Sequence, residues 1–404
     1  MTESTSATSL LDDAVALAPG LAALRHHLHR IPEIGLRLPK TQARLLEALE
    51  GLGLEISTGT GLDSVVAVLR GGRPGPSVLL RGDMDALPVT EDSGEPFTSE
   101  HDGVMHACGH DMHVAGLVGA AQLLAARRDE IAGSVVFMFQ PGEEGDHGAR
   151  LMIEEGVLEA AGERVVAAYG IHVVSAMIPT RVVTGRPGSA MAAADQMEVT
   201  VRGRGGHGSA PHLAADPVTV AAEIVLALQA AVTRQFDAHD PVVVSVGRIA
   251  AGTTDNVIPS TAELSATVRT FSPEQHAAIP ERLRRLVEHI AAAHGLTADV
   301  DYIRGYPVTV NDLAEVVRAA RVVTALTGAD GYQEAARPVS GAEDFSYVLQ
   351  EVPGAFLFLG AAPEGADLAT APYNHSAGAR FDDSALPVAA AVLAGLALDR
   401  LAEG

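Results

Sequence analysis

Positive charge is scarce in this 404-residue chain: 28 Lys and Arg stand against 51 Asp and Glu, a formal net charge of −23. A surface that acidic repels phosphate backbones and anionic headgroups, so neither nucleic acid nor a membrane surface is an expected partner. Lys40 is the only lysine. Its isolation excludes a G-x-x-x-x-G-K phosphate loop and argues against Schiff-base chemistry. Cysteine also occurs once, at Cys108, so no intrachain disulfide exists, and a lone thiol fits a reducing compartment. Met1 to Ser9 is small and polar, with neither a basic nor an apolar leader region. The longest apolar run, Ala385–Leu398, is 14 residues and holds Pro387, short of the roughly 20 that a spanning helix needs. A cytoplasmic protein is the expectation.

The chain is 47% apolar and 20% charged, enough to bury a large core, and its length predicts two or three domains. Helical spacing runs over Leu10–Leu28 and from Pro39 to about Leu52. Two strands, Ser64–Leu69 and Ser77–Leu80, flank Gly71–Pro76, which reads as a hairpin loop. A helix over about Asp111–Arg128, the apolar strand Ser134–Phe139 and a strand through Ile171–Val173 follow. Alternation of this kind predicts an α/β domain with a central, mostly parallel sheet flanked by helices. From about Ala193 the strands alternate apolar and polar: Met197–Arg202, Val242–Ile249, Ala262–Thr270 and Asp299–Ile303, with helices over Asp216–Phe236 and Pro273–His294. That texture predicts an inserted α+β domain, giving the division 1–192, 193–305 and 306–404, with hinges near 192–194 and 304–307.

Sixteen histidines are the richest clue. Several fall in Gly-rich connections after apolar strands, where open α/β sheets place ligands. The segments are Met105–His113, Gln140–Gly145, Gly170–His172 and Tyr373–Ser376. Thiolate, imidazole and carboxylate together suit zinc or a similar divalent ion. Asp83 and Asp85 follow another buried strand, where they are placed to fix a histidine tautomer. Taken alone, Cys108 is more often packing than a ligand, and a Glu-Glu pair in a turn is usually surface charge. Rival motifs fare worse. No G-x-S-x-G elbow and no H-E-x-x-H occur. Gly203–Gly208 matches G-x-G-x-x-G, but the stretch about 20 residues on, where a ribose-binding acid should end a strand, is mid-helix. An exposed loop presenting His207 is the better reading.

His106-Ala107-Cys108-Gly109-His110-Asp111, Gln140–Gly145, Gly170-Ile171-His172 and Asn374-His375-Ser376 resemble the M20 metallopeptidase superfamily. The closest match is its amidohydrolase branch of N-acyl-amino-acid, hippurate and auxin-conjugate hydrolases. Arg25–Glu33, Gly206–His212, Asn256–Pro259 and Ser340–Phe345 fit the same branch, so the likeness spans nearly the whole chain. It implies a dinuclear-metal exopeptidase fold with a lid domain that dimerises. It also implies two divalent ions, zinc first and manganese or cobalt as alternatives, held by Cys108, His110, Glu144, His172 and His375. Glu143 would be the catalytic carboxylate, and His207, Asn256 and Arg269 would contact substrate, the histidine reaching into a partner subunit's site. Asp83, Asp85 and Asp111 would stand behind the ligands. The implied reaction is metal-dependent hydrolysis of a small N-acyl-amino acid by a homodimer. A dipeptidase or carboxypeptidase of the same superfamily is the near alternative, and a non-catalytic metal-binding protein the distant one. Gly142, where Ala is commoner, and Ala377, where Pro often follows, depart from the pattern without removing a reacting group.

Overall fold

The computed structural model describes residues 3–403; Met1 and Thr2, which begin the polar N-terminal segment, and Gly404 lie outside the described residues. The chain opens with α1 (Glu3–Arg30), α2 (Pro39–Leu49), β1 (Glu55–Thr58), β2 (Val65–Arg70) and β3 (Arg73–Asp83). Next come α3 (His110–Ala125), β4 (Ala132–Gln140), α4 (Gly148–Glu154), β5 (Ala167–Val174), β6 (Val183–Gly185) and β7 (Gly188–Met191). The middle holds β8 (Ala193–Arg202), β9 (Gly206–His207), α5 (Pro217–Arg234), β10 (Val242–Ala251), β11 (Val257–Ile258), β12 (Thr261–Thr270), α6 (Pro273–Ala293) and β13 (Thr297–Tyr306). The remainder is β14 (Thr309–Asn311), α7 (Leu313–Thr327), β15 (Tyr332–Glu334), α8 (Ser346–Glu351), β16 (Gly354–Gly360) and α9 (Leu386–Ala402). Two compact units result: one from residues up to Ala190, Val310–Arg337 and Asp344 onward, the other from Met191–Thr309 and Pro338–Glu343.

The first unit is built on an eight-stranded sheet in the order β1-β2-β4-β3-β5-β16-β6-β15. Its centre, β4 to β16, is parallel, while β1, β2 and the β16–β6 pair are antiparallel. The fold is thus α/β with a mixed sheet. Central strands are apolar throughout because both faces are covered; Val135 to Phe139 of β4 are fully buried. α1, α3, α7 and α9 share that core. The stretch Asp383–Ala402 and α5 are each long and apolar enough to cross a membrane by length and composition. The former is mostly buried in the core, and α5 lays Val220, Ile224 and Leu228 on its own unit's sheet.

The hairpin expected between β2 and β3 does not form, because β4 lies between them. Glycine serves a different purpose there. A Cβ on Gly71 would stand 2.4 Å from the Ile131 carbonyl oxygen, and one on Gly75 2.5 Å from that of Ala132. These residues let the connection press against the start of β4, so the strand can pair on both edges.

The second unit is a four-stranded antiparallel sheet, β10-β12-β8-β13, with α5 and α6 packed on one face. Alternating burial along β12 and β13 follows from that one covered face. Local sequence starts both helices: Asp216 caps α5 through the Val218 N–H, Ser272 caps α6 through the Gln275 N–H, and each is followed by proline. Near the end of this sheet Asp195 is buried and accepts from the Tyr302 hydroxyl at 2.7 Å, the Gly305 N–H at 3.0 Å and His276 Nε2 at 3.2 Å. Burial pushes the carboxyl pKa up, but the His276, Tyr302 and Gly305 bonds outweigh it and hold Asp195 below the ordinary range. A carboxylate depressed in the folded state stabilises above the unfolded pKa, about 3.9, and loses that contribution as pH falls through its folded value. Asp195→Asn is therefore expected to cost about 1–3 kcal/mol at neutral pH, with the gap from wild type closing toward pH 3. Denaturant titrations across that range check it; a gap independent of pH would show that the carboxylate's charge contributes nothing.

Candidate metal centre

The carboxyl ends of β3, β4 and β5 carry most of the polar groups singled out in the sequence. β3 ends at Asp83 with Asp85 two residues on, β4 leads into Pro141–Gly145, and β5 carries His172 two residues before its end. Gly109, at φ +88°, opens α3; a Cβ there would lie 2.5 Å from Val173 Cγ2, so glycine is what lets His110 begin the helix against β5.

Six of the expected side chains meet. Cys108, His110 and His172 bring their donor atoms within 4.8 Å of one another, as do Cys108, Glu144 and His375, and His110, Glu143 and Glu144. Two triplets therefore share one thiol. His172 Nδ1–H donates to the Val173 carbonyl at 2.8 Å, which leaves the Nε2 lone pair facing Cys108 Sγ at 3.4 Å. Burial holds the His172 pKa well below its usual value, keeping the neutral, metal-binding form. His375 Nε2 lies 3.1 Å from Glu144 Oε1, and its bonds to Cys108 and Glu144 lift its pKa to about 10.

Hydrogen bonding supplies the test of fit. Both ring nitrogens of His110 are buried with no hydrogen bond; the nearest carboxylate oxygens to them, from Asp85 and Asp83, are 3.5 and 3.6 Å away. Buried polar atoms normally have partners. Orphans framed by a thiol, imidazoles and carboxylates fit a borderline divalent ion. A further cluster of Asp83, His110 and His113 is equally close but is no ligand set. His113 Nδ1–H donates to Asp83 at 2.5 Å, and Nε2 accepts the Val173 N–H at 2.8 Å, so neither nitrogen has a lone pair to spare.

The acids behind the cluster divide the work. Asp85 accepts the N–H groups of Glu143 and Glu144, both at 3.0 Å, which fixes the turn aiming the two carboxylates. Asp83 sets the tautomer of His113 and pairs with Arg81 at 2.5 Å. Asp111 turns the other way: it accepts from Arg25 Nε at 3.0 Å and His29 Nδ1 at 2.9 Å. Burial opposes a charge on His29, yet Asp111 and Glu91 raise its pKa to about 9. Arg81 and His113 were given no role from the sequence. The spacing of His113, three residues past His110 and so on the same helical face, was the available signal. Gly142 has φ +72°, and a Cβ there would meet Leu36 Cδ2 at 2.4 Å, which accounts for glycine in place of the commoner alanine.

In the second unit β9 pairs with β11, His207 opposite Val257. The G-x-G-x-x-G stretch is thus the edge of a two-stranded ladder, with His207 exposed and Asn256 beside it through the Gly208 N–H to Asn256 carbonyl bond of 2.8 Å. Arg269 is not with them. It lies eight residues along β12 from Thr261, about 27 Å at the usual strand rise.

Residues 79–399 match the model of peptidase family M20/M25/M40. The chain is 39% identical to thermostable carboxypeptidase 2 of Saccharolobus solfataricus, over 87% of this chain and 88% of that protein. It is 37% identical to an N-acetylcysteine deacetylase of Bacillus subtilis, over 94% and 96%. The solved Bacillus subtilis YXEP protein, described as a dinuclear metal-binding peptidase of the M20 family, superposes with a TM-score of 0.82 at 34% identity, covering 96% of this chain and 99% of that one. These likenesses define the class, a metal-dependent amidohydrolase. The chain belongs to peptidase family M20/M25/M40.

The paired bonds to Asp85 generate a prediction. Asp85→Asn keeps one acceptor and turns an N–H toward the other backbone donor. Amide hydrolysis should fall about 10–100-fold in kcat/KM, with roughly 1–3 kcal/mol lost in stability. Steady-state kinetics beside a thermal melt read both, and unchanged values would show that the turn holds without Asp85.

Proposed function

We propose that this protein hydrolyses the amide bond of N-acyl-amino acids, releasing a carboxylic acid and a free amino acid. One observation carries the reading: two donor triplets share Cys108, and Glu143, a neighbouring carboxylate, lies within 4.8 Å of the His110 and Glu144 donors. Cys108, His110, Glu144, His172 and His375 are the residues that would hold two divalent ions. When bound, such ions, zinc on the softness of the thiolate and manganese or cobalt otherwise, polarise a carbonyl and lower the pKa of a water to about 7.

The chain's own groups do the rest. Glu143, kept off the ligand set, takes the proton of the attacking water and returns it to the departing amine. His207 donates to the oxyanion. Arg269 grips the substrate carboxylate: its guanidinium is half-buried, bonds only to the Thr267 hydroxyl and the Val268 carbonyl, and has no carboxylate within ion-pair distance among the described residues. The span between Arg269 and the His207–Asn256 pair favours a homodimer through the second unit, each chain lending His207 to its partner. We place the enzyme in the cytoplasm, with no nucleic-acid or membrane partner.

The carboxypeptidase relative supports a second reading, cleavage of a peptide rather than an acylated amino acid. A free α-amine on the acyl side separates them: a dipeptidase tolerates it and the proposed enzyme does not. A hydrolysis screen over N-acetyl, N-benzoyl and longer N-acyl amino acids, with dipeptides alongside and with and without chelator, is the deciding experiment. Turnover of the acylated set, lost on chelation and restored by metal, is expected. Glu143→Gln should lower kcat by about 10²–10⁴-fold while elemental analysis finds the metal content unchanged. Full activity in that variant, or in a metal-stripped preparation, overturns the mechanism.

A further inference from the structure

Asn374 stands next to His375, and its side chain reaches two other segments of the centre. Nδ2 lies 3.0 Å from the carbonyl oxygen of Cys108 and 3.0 Å from that of Val173, so its two N–H groups have an acceptor each. The same nitrogen is 3.9 Å from Cys108 Sγ. Oδ1 accepts the backbone N–H of Ser175 at 3.0 Å, while the Ser175 hydroxyl, 3.1 Å from it, is also within reach of the Pro372 carbonyl at 2.9 Å. These partners fix the amide's orientation, since a flip would set N–H against N–H and oxygen against two carbonyls. The segments tied together are the loop bearing Cys108, the end of β5 bearing His172, and the loop bearing His375 itself. All of them belong to the first unit.

The bond pattern matters because it joins these three segments at one point. Cys108 and His375 sit in irregular backbone, and His375 holds φ +70°, a conformation that non-glycine residues adopt only when their surroundings impose it. The His375 N–H bonds to the Ala107 carbonyl at 2.9 Å, and the Asp92 N–H to the Ala377 carbonyl at 2.8 Å. The Asn374 amide supplies three more links around the His375 loop. No apolar residue or carboxylate of the same size offers two donors and one acceptor in that plane.

We propose that Asn374 is a positioning residue: it holds Cys108, His172 and His375 at the mutual spacing that lets one sulfur serve both donor triplets. The proposal rests on the reading that these three side chains are metal ligands. Outer partners of metal ligands typically change metal affinity 10–100-fold when removed.

The test is a titration of the metal-free full-length protein with Co²⁺, following the thiolate-to-metal charge-transfer band and the bound stoichiometry. Wild type, Asn374→Ala, Asn374→Asp and Ser175→Ala are compared, with a thermal melt of each metal-free protein. Wild type should show the band. Asn374→Ala should bind about 10–100-fold more weakly with a diminished or displaced band, and its metal-free melt reads separately what the lost bonds cost the fold. Ser175→Ala, which keeps both amide donors, should bind like wild type. If Asn374→Ala fails to fold, Asn374→Asp decides, because it retains the acceptor for Ser175 but lacks both donors; it should show the same weakened binding. Wild-type affinity and an unaltered band in the Asn374 variants overturn the positioning role. A wild-type protein without any charge-transfer band instead overturns the ligand assignment of Cys108, on which the role depends.

Discussion

Burying several carboxyl groups in one small volume is the constraint that shapes the first unit. Asp83, Asp85, Asp111, Glu143 and Asp344 are all buried, and a carboxylate taken from water must be compensated by donors or it will not stay ionised. Asp83 has Arg81 and His113, Asp111 has Arg25 and His29, and Asp85 has two backbone N–H groups. Asp344 takes bonds from Arg81, Gln140 and the Ala149 N–H. Asp83, Asp85 and Asp344 are satisfied from inside the protein, while Asp111 places both its bonds on Oδ2 and leaves Oδ1 without one. His110, with neither ring nitrogen hydrogen-bonded, has its donor within 4.8 Å of the Cys108 thiol and the Glu144 carboxylate. A buried imidazole unbonded at both nitrogens among thiol and carboxylate donors is the signature of a site completed by something else.

That arrangement in turn explains how remote stretches of the sequence are recruited. Arg25 lies on the first helix and is almost wholly buried. It joins Asp111 on one side, and on the other the Phe381 carbonyl and Asp383 near the start of the last helix. Truncating it would leave Asp111, at the opening of α3 beside His110, with His29 as its remaining charged partner. Arg81, on β3, has the same role within the sheet, bridging Asp83, Gln140 and Asp344. The counter-charges come from both ends of the chain and from the middle of the sheet, so the centre cannot assemble until the first unit has closed around it.

Much of the centre was legible because its chemistry is local. Cys108 and His110, or Glu143 and Glu144, are near neighbours in Gly-rich connections after apolar runs, and a strand's end fixes where such connections point. Strand order was not legible. β2 and β3 each read as a strand, but the insertion of β4 between them depends on pairing energies that no local pattern encodes. β1 was missed because its four residues are all exposed and give no alternation, and β6 and β15 because three residues are too few to show a period. His113 lies in the same histidine-rich run as His110 and was given no role. Its commitment to Asp83 and Val173 appears only when the helix is set against β5. Sequence can thus name donor types, while tertiary packing decides which donors remain available.

The lone cysteine shows how that decision is made. A cysteine that merely fills a core is surrounded by carbon, behaves as a small hydrophobe and needs no polar neighbour. Cys108 is as buried as such a residue, at 6% exposure. Its sulfur nevertheless lies 3.4 Å from an imidazole nitrogen and 3.9 Å from an amide nitrogen, and it is the vertex common to two donor triplets. Surroundings of that kind are polar on the side the sulfur faces, unlike a packing site. Burial alone would have assigned Cys108 to packing; the polarity of what buries it assigns the residue to chemistry.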